Sequence, residues 1–195
     1  MQVSRRLASL SLKAAGWEFE GEIPAVRRCV CLAVPHTSNW DGLVLVGIAQ
    51  SLGIPMSFMI KREWVSGPMG PVMRRLGAVP IDRAGKHNVV EQMIAEFARR
   101  DELMLVIPPE GTRKKAPYWK SGFYHIAMGA KVPLVPGYCD FKRKRMGLGP
   151  AIPLTGDVRA DMDKIRAFYA MQAPTAHDPA SVGPIKLREE DAAVS

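Results

Sequence analysis

The chain has 195 residues, enough for one domain with a substantial core, and its 47% apolar and 24% charged content is typical of a globular protein. Its formal net charge of +8 points to anionic partners: phosphates, an anionic membrane face, an acidic carrier protein or nucleic acid. Because aromatic residues are only 7% and no zinc-finger spacing occurs, we expect no nucleic acid among the partners.

The cysteines and the longest uncharged run place the protein in a reduced, aqueous setting. Three cysteines form no even framework, so we expect free thiols in the cytosol rather than disulfides. Cys29 and Cys31 lie two apart in a predicted strand and share one of its faces, as buried thiols commonly do. The uncharged run from Gly42 to Ile60 contains glycine, proline and polar residues, so it predicts a buried helix and strand rather than a membrane span.

Strands alternate with helices along the chain. An amphipathic helix is predicted within residues 1–20. It is followed by a strand over Val26–Val34, a helix from about Ser38 to Leu52, a strand over Pro55–Ile60, short helices within Lys61–Leu76 and a strand over Ala78–Ile81. The second half predicts a helix over Lys86–Arg100, a strand over Leu103–Ile107, a helix over Ser121–Ala130, strands over Val132–Tyr138 and Ala151–Leu154, and a helix over Asp161–Met171.

This alternation predicts one α/β domain over residues 1–172, with a mixed, largely parallel sheet flanked by helices. Residues 173–195 carry three prolines and an acidic end, so they predict a tail with little core of its own.

The segment Pro35–Asp41 places a histidine five residues before an aspartate, directly after a predicted strand. A neutral imidazole can act as a general base, and a carboxylate that accepts its second N–H orients it. His36 and Asp41 can meet only if His36 lies in the turn and Asp41 in the first helical turn. A helix cap is the alternative, because Ser38 and Asp41 fit a capping box.

The segment Pro109–Arg113 also follows a buried strand, at the sheet edge where ligands bind in open parallel sheets. Gly111 permits tight backbone geometry, and the planar guanidinium of Arg113 suits phosphate. A surface turn in which Glu110 pairs with Arg113 is the alternative.

Three predicted strands each deliver a cation at their carboxyl end: Lys61, Arg83 and Arg113. Each alone is typical of a solvated surface, but together they predict an anion site.

These segments resemble the four ordered blocks of the glycerolipid acyltransferases of the lysophosphatidate (1-acylglycerol-3-phosphate) type. The blocks correspond here to His36–Asp41, Gly77–Arg83, Pro109–Arg113 and Val132–Pro136, in the family's order. The resemblance covers about Pro35 to Pro136, over half the chain. It implies a glycerol-phosphate acyltransferase-like fold, in a short form for which we expect no N-terminal membrane helix.

The resemblance also implies a reaction and its partners. A fatty acyl group would move from a thioester of CoA or acyl carrier protein to the hydroxyl of a lyso-glycerophospholipid, with no resident cofactor and no metal. His36 would be the general base and Asp41 would orient it. By their shared position after strands, Lys61, Arg83 and Arg113 would hold the acceptor phosphate. Glu110 would orient the acceptor or Arg113, and Gly111 and Thr112 would complete the acceptor site, chiefly by shaping its turn.

The acyl and lipid substrates imply peripheral contact with an anionic membrane, at the inner face of the cytoplasmic membrane. The amphipathic N-terminal helix and the basic cluster Lys142–Arg145 are candidates for that contact, and the cluster is also a candidate dock for an acidic carrier or a solvated loop. Four methionines between residues 56 and 73 could line an acyl tunnel or serve as ordinary core.

Three further interpretations of function stay open. The acceptor could be a lyso-lipid without phosphate, or the chain could be a catalytically idle lipid-binding module. Water as the acceptor would make the protein a thioester hydrolase.

Overall fold

A seven-stranded sheet lies at the centre of the computed structural model, which describes residues 2–82 and 89–192. Its strands are β1 (Glu18–Glu20), β2 (Arg28–Val34), β3 (Met56–Lys61), β4 (Ala78–Ile81), β5 (Leu103–Ile107), β6 (Leu134–Asp140) and β7 (Arg145–Leu148). Their order is β1-β7-β6-β2-β5-β3-β4, and every neighbouring pair is parallel except β6 with β7. The predicted α/β fold with a mixed, largely parallel sheet is confirmed.

Helices cover both faces of this sheet. They are α1 (Gln2–Ala14), α2 (Asn39–Leu52), α3 (Arg62–Ser66), α4 (Gly70–Arg75), α5 (Val89–Arg99), α6 (Gly122–Ala130), α7 (Val158–Gln172) and α8 (Glu189–Ala192). Helix α2 packs on one face and α5, α6 and α7 on the other. Among the described residues, no helix is long and apolar enough to cross a membrane.

Alternation along β2 explains how the two faces are filled. Val30 and Leu32 point into the cluster under α5, α6 and α7, whereas Cys29 and Cys31 point into the cluster under α2. All of β5 is buried, as its uninterrupted apolar sequence predicts for a central parallel strand.

The two strands at one end of the sheet were absent from the prediction. Strands β1 and β7 are short and carry charged residues, and they pair with each other in parallel. The predicted strand over Ala151–Leu154 does not form: in this segment only Ile152 bridges to Leu134. The next hydrogen-bonded pair of this antiparallel ladder would join positions 150 and 136, and both are prolines, which have no backbone N–H to donate.

Residues 173–192 pack on the domain, although their composition predicts a tail with little core. Leu187 is 1% exposed and joins the main core cluster, and Trp119 donates its backbone N–H to the Lys186 carbonyl at 2.8 Å. The backbone N–H of Asp178 donates to the Thr37 hydroxyl at 3.1 Å. The prolines therefore shape an irregular but docked segment.

Candidate active site

His36 and Asp41 meet at the carboxyl end of β2. His36 lies in the turn after the strand, and Asp41 lies in the first turn of α2. The His36 Nδ1 and Asp41 Oδ2 atoms are 3.2 Å apart, and the histidine side chain is 26% exposed. A carboxylate at this distance holds the Nδ1–H tautomer, which leaves the lone pair of Nε2 free to accept a proton.

The surroundings of Asp41 hold it ionised. Burial acts to raise its pKa, but hydrogen bonds from the imidazole of His36 and from Ser38 and Thr37 outweigh burial, and the net pKa is lowered. Its Oδ2 atom accepts the backbone N–H groups of Thr37 at 2.6 Å and Ser38 at 2.8 Å. A negative charge therefore faces the imidazole and can stabilise its protonated form.

The capping alternative for Asp41 is also realised. Ser38 is the N-cap of α2 and forms a capping box with Asp41, and its hydroxyl accepts the Trp40 backbone N–H at 3.1 Å. The Ser38 hydroxyl in turn donates to Asp41 Oδ1 at 2.9 Å. Helix capping and orientation of His36 are thus two roles of the same carboxylate.

Glu110 connects the turn after β5 to the turn after β2. Its Oε1 atom accepts the backbone N–H of His36 at 3.0 Å, which ties the position of the histidine to the neighbouring strand. The Oε2 atom is buried, with no hydrogen-bond partner among the described residues. Burial raises the pKa of this carboxyl despite the opposing hydrogen bonds.

Gly111 and Thr112 shape the turn that carries Glu110. Gly111 has a φ of 65°, and a Cβ added there would lie 2.7 Å from the Cγ of Lys120. The Thr112 hydroxyl accepts the backbone N–H of Lys114 at 3.2 Å. A side chain at position 111 would therefore strain the backbone and displace Lys120.

Arg113 reaches across to the start of α2. Its guanidinium donates to the side-chain oxygen of Asn39, not to Glu110 as the surface-turn alternative requires. Arg113, Asn39 and Lys120 all line the cavity that contains His36. Neither Asn39 nor Lys120 was among the predicted site residues, although the position of Asn39 between His36 and Asp41 was a usable signal.

The other two predicted cations differ in their placement. Lys61 ends β3, where its side chain is exposed and does not line the cavity. Strand β5 lies between β2 and β3, which keeps Lys61 two strands away from His36. Arg83 lies outside the described residues.

The cavity has a volume of about 990 Å³ and runs from His36 into the space between α2 and the sheet. Its walls include apolar side chains of α2 and the sheet, such as Val46, Cys31, Phe58 and Met104, and it also borders α5 and α6. Of the four methionines between residues 56 and 73, Met56 and Met59 line it and the other two do not. The site therefore combines a polar mouth with an apolar interior.

The thiols beside this cavity are not activated. Burial raises the pKa of Cys29 to about 12, and the pKa of Cys31 is raised for the same reason. Protonated thiols are poor nucleophiles, so these two cysteines are not expected to take part in the chemistry of the site. Within residues 2–82 and 89–192, no three His, Cys, Asp or Glu side chains group closely enough to hold a metal ion.

The fold and site define a class: an α/β protein whose histidine–aspartate pair lies at the carboxyl edge of the sheet, above an apolar cavity. The chain belongs to the acyltransferase family, whose model matches residues 17–140.

Individual relatives agree with this assignment. A 1-acyl-sn-glycerol-3-phosphate acyltransferase of Haemophilus influenzae is 25% identical over 68% of this chain and 58% of its own length. The human 1-acyl-sn-glycerol-3-phosphate acyltransferase alpha is 29% identical over 67% of this chain and 54% of its own. The chain thus spans little more than half the length of these curated relatives.

The fold is also found among solved structures. The 1-acyl-sn-glycerophosphate acyltransferase PlsC of Thermotoga maritima superposes with a TM-score of 0.62 at 16% identity. The match covers 90% of this chain and 80% of that one, so the shared architecture extends beyond the family's matched region.

Proposed function

We propose that the protein is an O-acyltransferase of phospholipid biosynthesis. It moves a fatty acyl group from a thioester of CoA or acyl carrier protein to the hydroxyl of a lysophosphatidate-like lipid. The observation that carries the proposal is the 3.2 Å contact between His36 Nδ1 and Asp41 Oδ2 at the mouth of an apolar cavity. The relatives of Haemophilus influenzae and human origin, both named as 1-acyl-sn-glycerol-3-phosphate acyltransferases, support this class of acceptor.

In the proposed mechanism His36 is the general base. Its Nε2 atom accepts the acceptor's hydroxyl proton as the oxygen attacks the thioester carbonyl, and Asp41 stabilises the imidazolium that forms. The tetrahedral intermediate then collapses, the carbon–sulfur bond breaks, and the leaving thiolate takes the proton from the imidazolium. No protein nucleophile and no resident cofactor are needed, because the thioester is already activated.

The intermediate carries a negative oxygen that needs a donor. The N–H groups of Thr37, Ser38 and Trp40 are engaged by Asp41 and Ser38. The Asn39 backbone N–H has no partner among the described residues and lies in the same turn, so we assign this role to it.

The acceptor phosphate is assigned to the cations at the mouth. Arg113, held by Asn39, and Lys120 both line the cavity beside His36. Arg83 stays a predicted phosphate ligand, whereas the exposed position of Lys61 outside the cavity favours no such role. Glu110 acts as a positioning residue through the backbone of His36.

We propose a location at the inner face of the cytoplasmic membrane, with peripheral contact to anionic lipid. Both lipid substrates partition into that layer, and the formal net charge of +8 favours an anionic surface.

An acceptor and donor panel tests the proposal. The purified protein is given acyl-CoA or acyl carrier protein thioester with lysophosphatidate, a phosphate-free lyso-lipid or water alone, and thiol release and acylated product are measured. We expect transfer to lysophosphatidate, and Arg113→Ala should raise its KM by at least about tenfold while changing the donor KM little.

Two outcomes would replace the proposal. A preference for the phosphate-free acceptor, with the KM values for acceptor and donor both unchanged in Arg113→Ala, would refute the proposed phosphate site. Thiol release without an acylated lipid would indicate a hydrolase, and no thiol release with any pair would indicate a lipid-binding module.

A further inference from the structure

Exposed apolar side chains are concentrated on the helices of the first half of the chain. Seven of the eleven large apolar side chains that are exposed among the described residues belong to α1, α2 or the α3–α4 region. They are Leu10, Trp40, Leu43, Leu52, Trp64, Met69 and Val72. Clustered exposure of this kind indicates an interaction surface, whereas the remaining four side chains are scattered.

These helices cover the same face of the sheet. The connection from β2 to β3 through α2 and the connection from β3 to β4 through α3 and α4 run in the same direction across the strand order. Right-handed crossovers place both on one face. Helix α5 connects β4 back to β5 in the opposite direction and packs on the opposite face, as the same handedness requires.

Within this face, α3 and α4 combine apolar and basic side chains. Trp64, Met69 and Val72 are 65%, 54% and 47% exposed. Arg62, Arg74 and Arg75 are also exposed, and none of the three forms an ion pair with a described residue. We call these six side chains the α3–α4 surface: Arg62, Trp64, Met69, Val72, Arg74 and Arg75.

The basic cluster Lys142–Arg145 has a different environment. Arg143 binds Asp140 at 2.7 Å, and Arg145 binds Glu18 at 2.9 Å. The Nζ of Lys144 donates to the carbonyl of Ala15 at 2.8 Å. These cations join the turn between β6 and β7 to the N-terminal region, so most of the cluster serves the fold and little of its charge is available to a partner.

We propose that the α3–α4 surface seats the protein in the headgroup layer of an anionic bilayer. Trp64, Met69 and Val72 reach the acyl boundary, and the three arginines bind lipid phosphates. A bilayer is favoured over an acidic carrier protein because the exposed apolar side chains continue over α2 and α1, which gives a face several helices wide.

The proposal rests on the proposed function for its purpose, since it says how a lipid substrate reaches the site. Leu43 is exposed on the same face and also lines the cavity that contains His36. Trp40 lies three residues before it on α2, so the two side chains share one side of that helix. Seating on this face puts the mouth of the cavity next to the leaflet.

Vesicle binding by the full chain tests the surface. Cosedimentation is measured with phosphatidylcholine vesicles, with and without phosphatidylglycerol, for the wild type and two triple variants. The variant R62Q/R74Q/R75Q should bind anionic vesicles roughly 100-fold more weakly, at about fivefold per arginine. The variant W64S/M69S/V72S should lose at least about tenfold.

Matched controls carry the same types of change elsewhere. Met171 and Val182 are exposed apolar residues outside the helices of this face, so M171S/V182S should bind within about twofold of the wild type. The variant K142Q/K144Q, which alters the other basic cluster, should also stay within about twofold of the wild type. If the apolar triple variant fails to fold, a second measurement replaces it. Quenching of tryptophan fluorescence by vesicles of brominated-chain lipid is compared between the wild type and Trp64→Phe, which lacks the exposed tryptophan of α3. The quenched fraction should then fall.

Several results would refute the proposal that the α3–α4 surface binds the bilayer. Equal binding of both triple variants and the wild type would do so, as would binding that ignores phosphatidylglycerol. So would a dimer, or a complex with acyl carrier protein, that the triple variants abolish while vesicle binding persists.

The outcome is independent of the reaction itself. Transfer between short-chain, monomeric substrates should be unchanged in the triple variants, because none of the six side chains lines the cavity. If the wild type binds vesicles through this surface but transfers no acyl group, the proposed function fails and the surface stands. If the wild type transfers acyl groups and the triple variants bind vesicles normally, the proposal for the α3–α4 surface is refuted and the proposed function is not.

Discussion

Asp41 accepts hydrogen bonds from the imidazole of His36 and from the backbone N–H groups of Thr37 and Ser38, which directly precede α2. Asp41→Asn keeps the shape but removes the charge that stabilises an imidazolium. We expect kcat to fall by at least about 100-fold, since the analogous change in hydrolase triads costs more. The free energy of unfolding should fall by only about 1 kcal/mol, the usual effect of a weakened cap. Steady-state kinetics and urea unfolding measure the two effects.

Ser38→Ala is the matched control, because it removes the cap hydroxyl and leaves the pair of His36 and Asp41 in place. It should also destabilise by about 1 kcal/mol while keeping most of the activity. Equal losses of activity in the two variants would mean that Asp41 acts through the helix rather than through His36.

The buried carboxyl of Glu110 should make the stability of the protein depend on pH. Because burial raises its pKa above the ordinary 4.5, the folded state binds the proton more tightly than the unfolded state does. The stability that protonated Glu110 contributes is present below pH 4.5 and is lost as pH rises through the raised pKa. Glu110→Gln keeps an oxygen for the His36 N–H and removes the titration. Its free energy of unfolding, relative to the wild type, should therefore rise between about pH 4 and pH 7. A difference that stays constant over this range would refute the account of Glu110.

Contacts between residues that are close in the sequence could be predicted, whereas contacts between distant residues could not. His36 and Asp41 lie within one strand–turn–helix unit, so their meeting could be predicted from spacing. The contact of Asn39 with Arg113 could not, because it joins residues 74 positions apart. The pairing of Glu110 with the His36 backbone depends in the same way on β2 and β5 being neighbours.

At the scale of elements, the C-terminal segment contacts the turn after β2 at Thr37 and the chain between β5 and α6 at Trp119. Leu187→Ala should lower the free energy of unfolding by about 2–4 kcal/mol, as expected for a fully buried leucine. Val182→Ala, at a 42% exposed position of the same segment, should change it by less than about 0.5 kcal/mol. Denaturant unfolding compares them, and similar small effects would show that the segment is not part of the cooperative core.

The elements that could be predicted share one property. Strands β2 to β6 are apolar runs that a buried parallel sheet requires, so composition alone identifies them. Strands β1 and β7 are held by pairing with each other and by the ion pair of Glu18 with Arg145, which join distant parts of the chain. Strand order is equally non-local. Lys61 was expected in the anion site because it follows a strand. The sequence does not show that β5 separates that strand from β2.

At the scale of the whole molecule, the net charge of +8 is less informative than its distribution. Arg143 and Arg145 are engaged in ion pairs near β1, whereas the arginines of α3 and α4 form none with the residues that the structure describes. Helix α2 borders the cavity, and the apolar outer side of α1 to α4 lies over the same face of the sheet as α2. In the proposed seating, this face brings a lipid surface next to the cavity that contains His36.

Thiol release coupled to acylated lipid, compared between the wild type and His36→Asn, tests the central claim most directly. The asparagine can still donate a hydrogen bond to Asp41, but it has no basic nitrogen to accept a proton. We expect the variant to fold with near-native thermal stability and to lose at least about 1,000-fold in kcat, at the upper part of the range for a general base. A folded variant with near-native turnover would contradict the account.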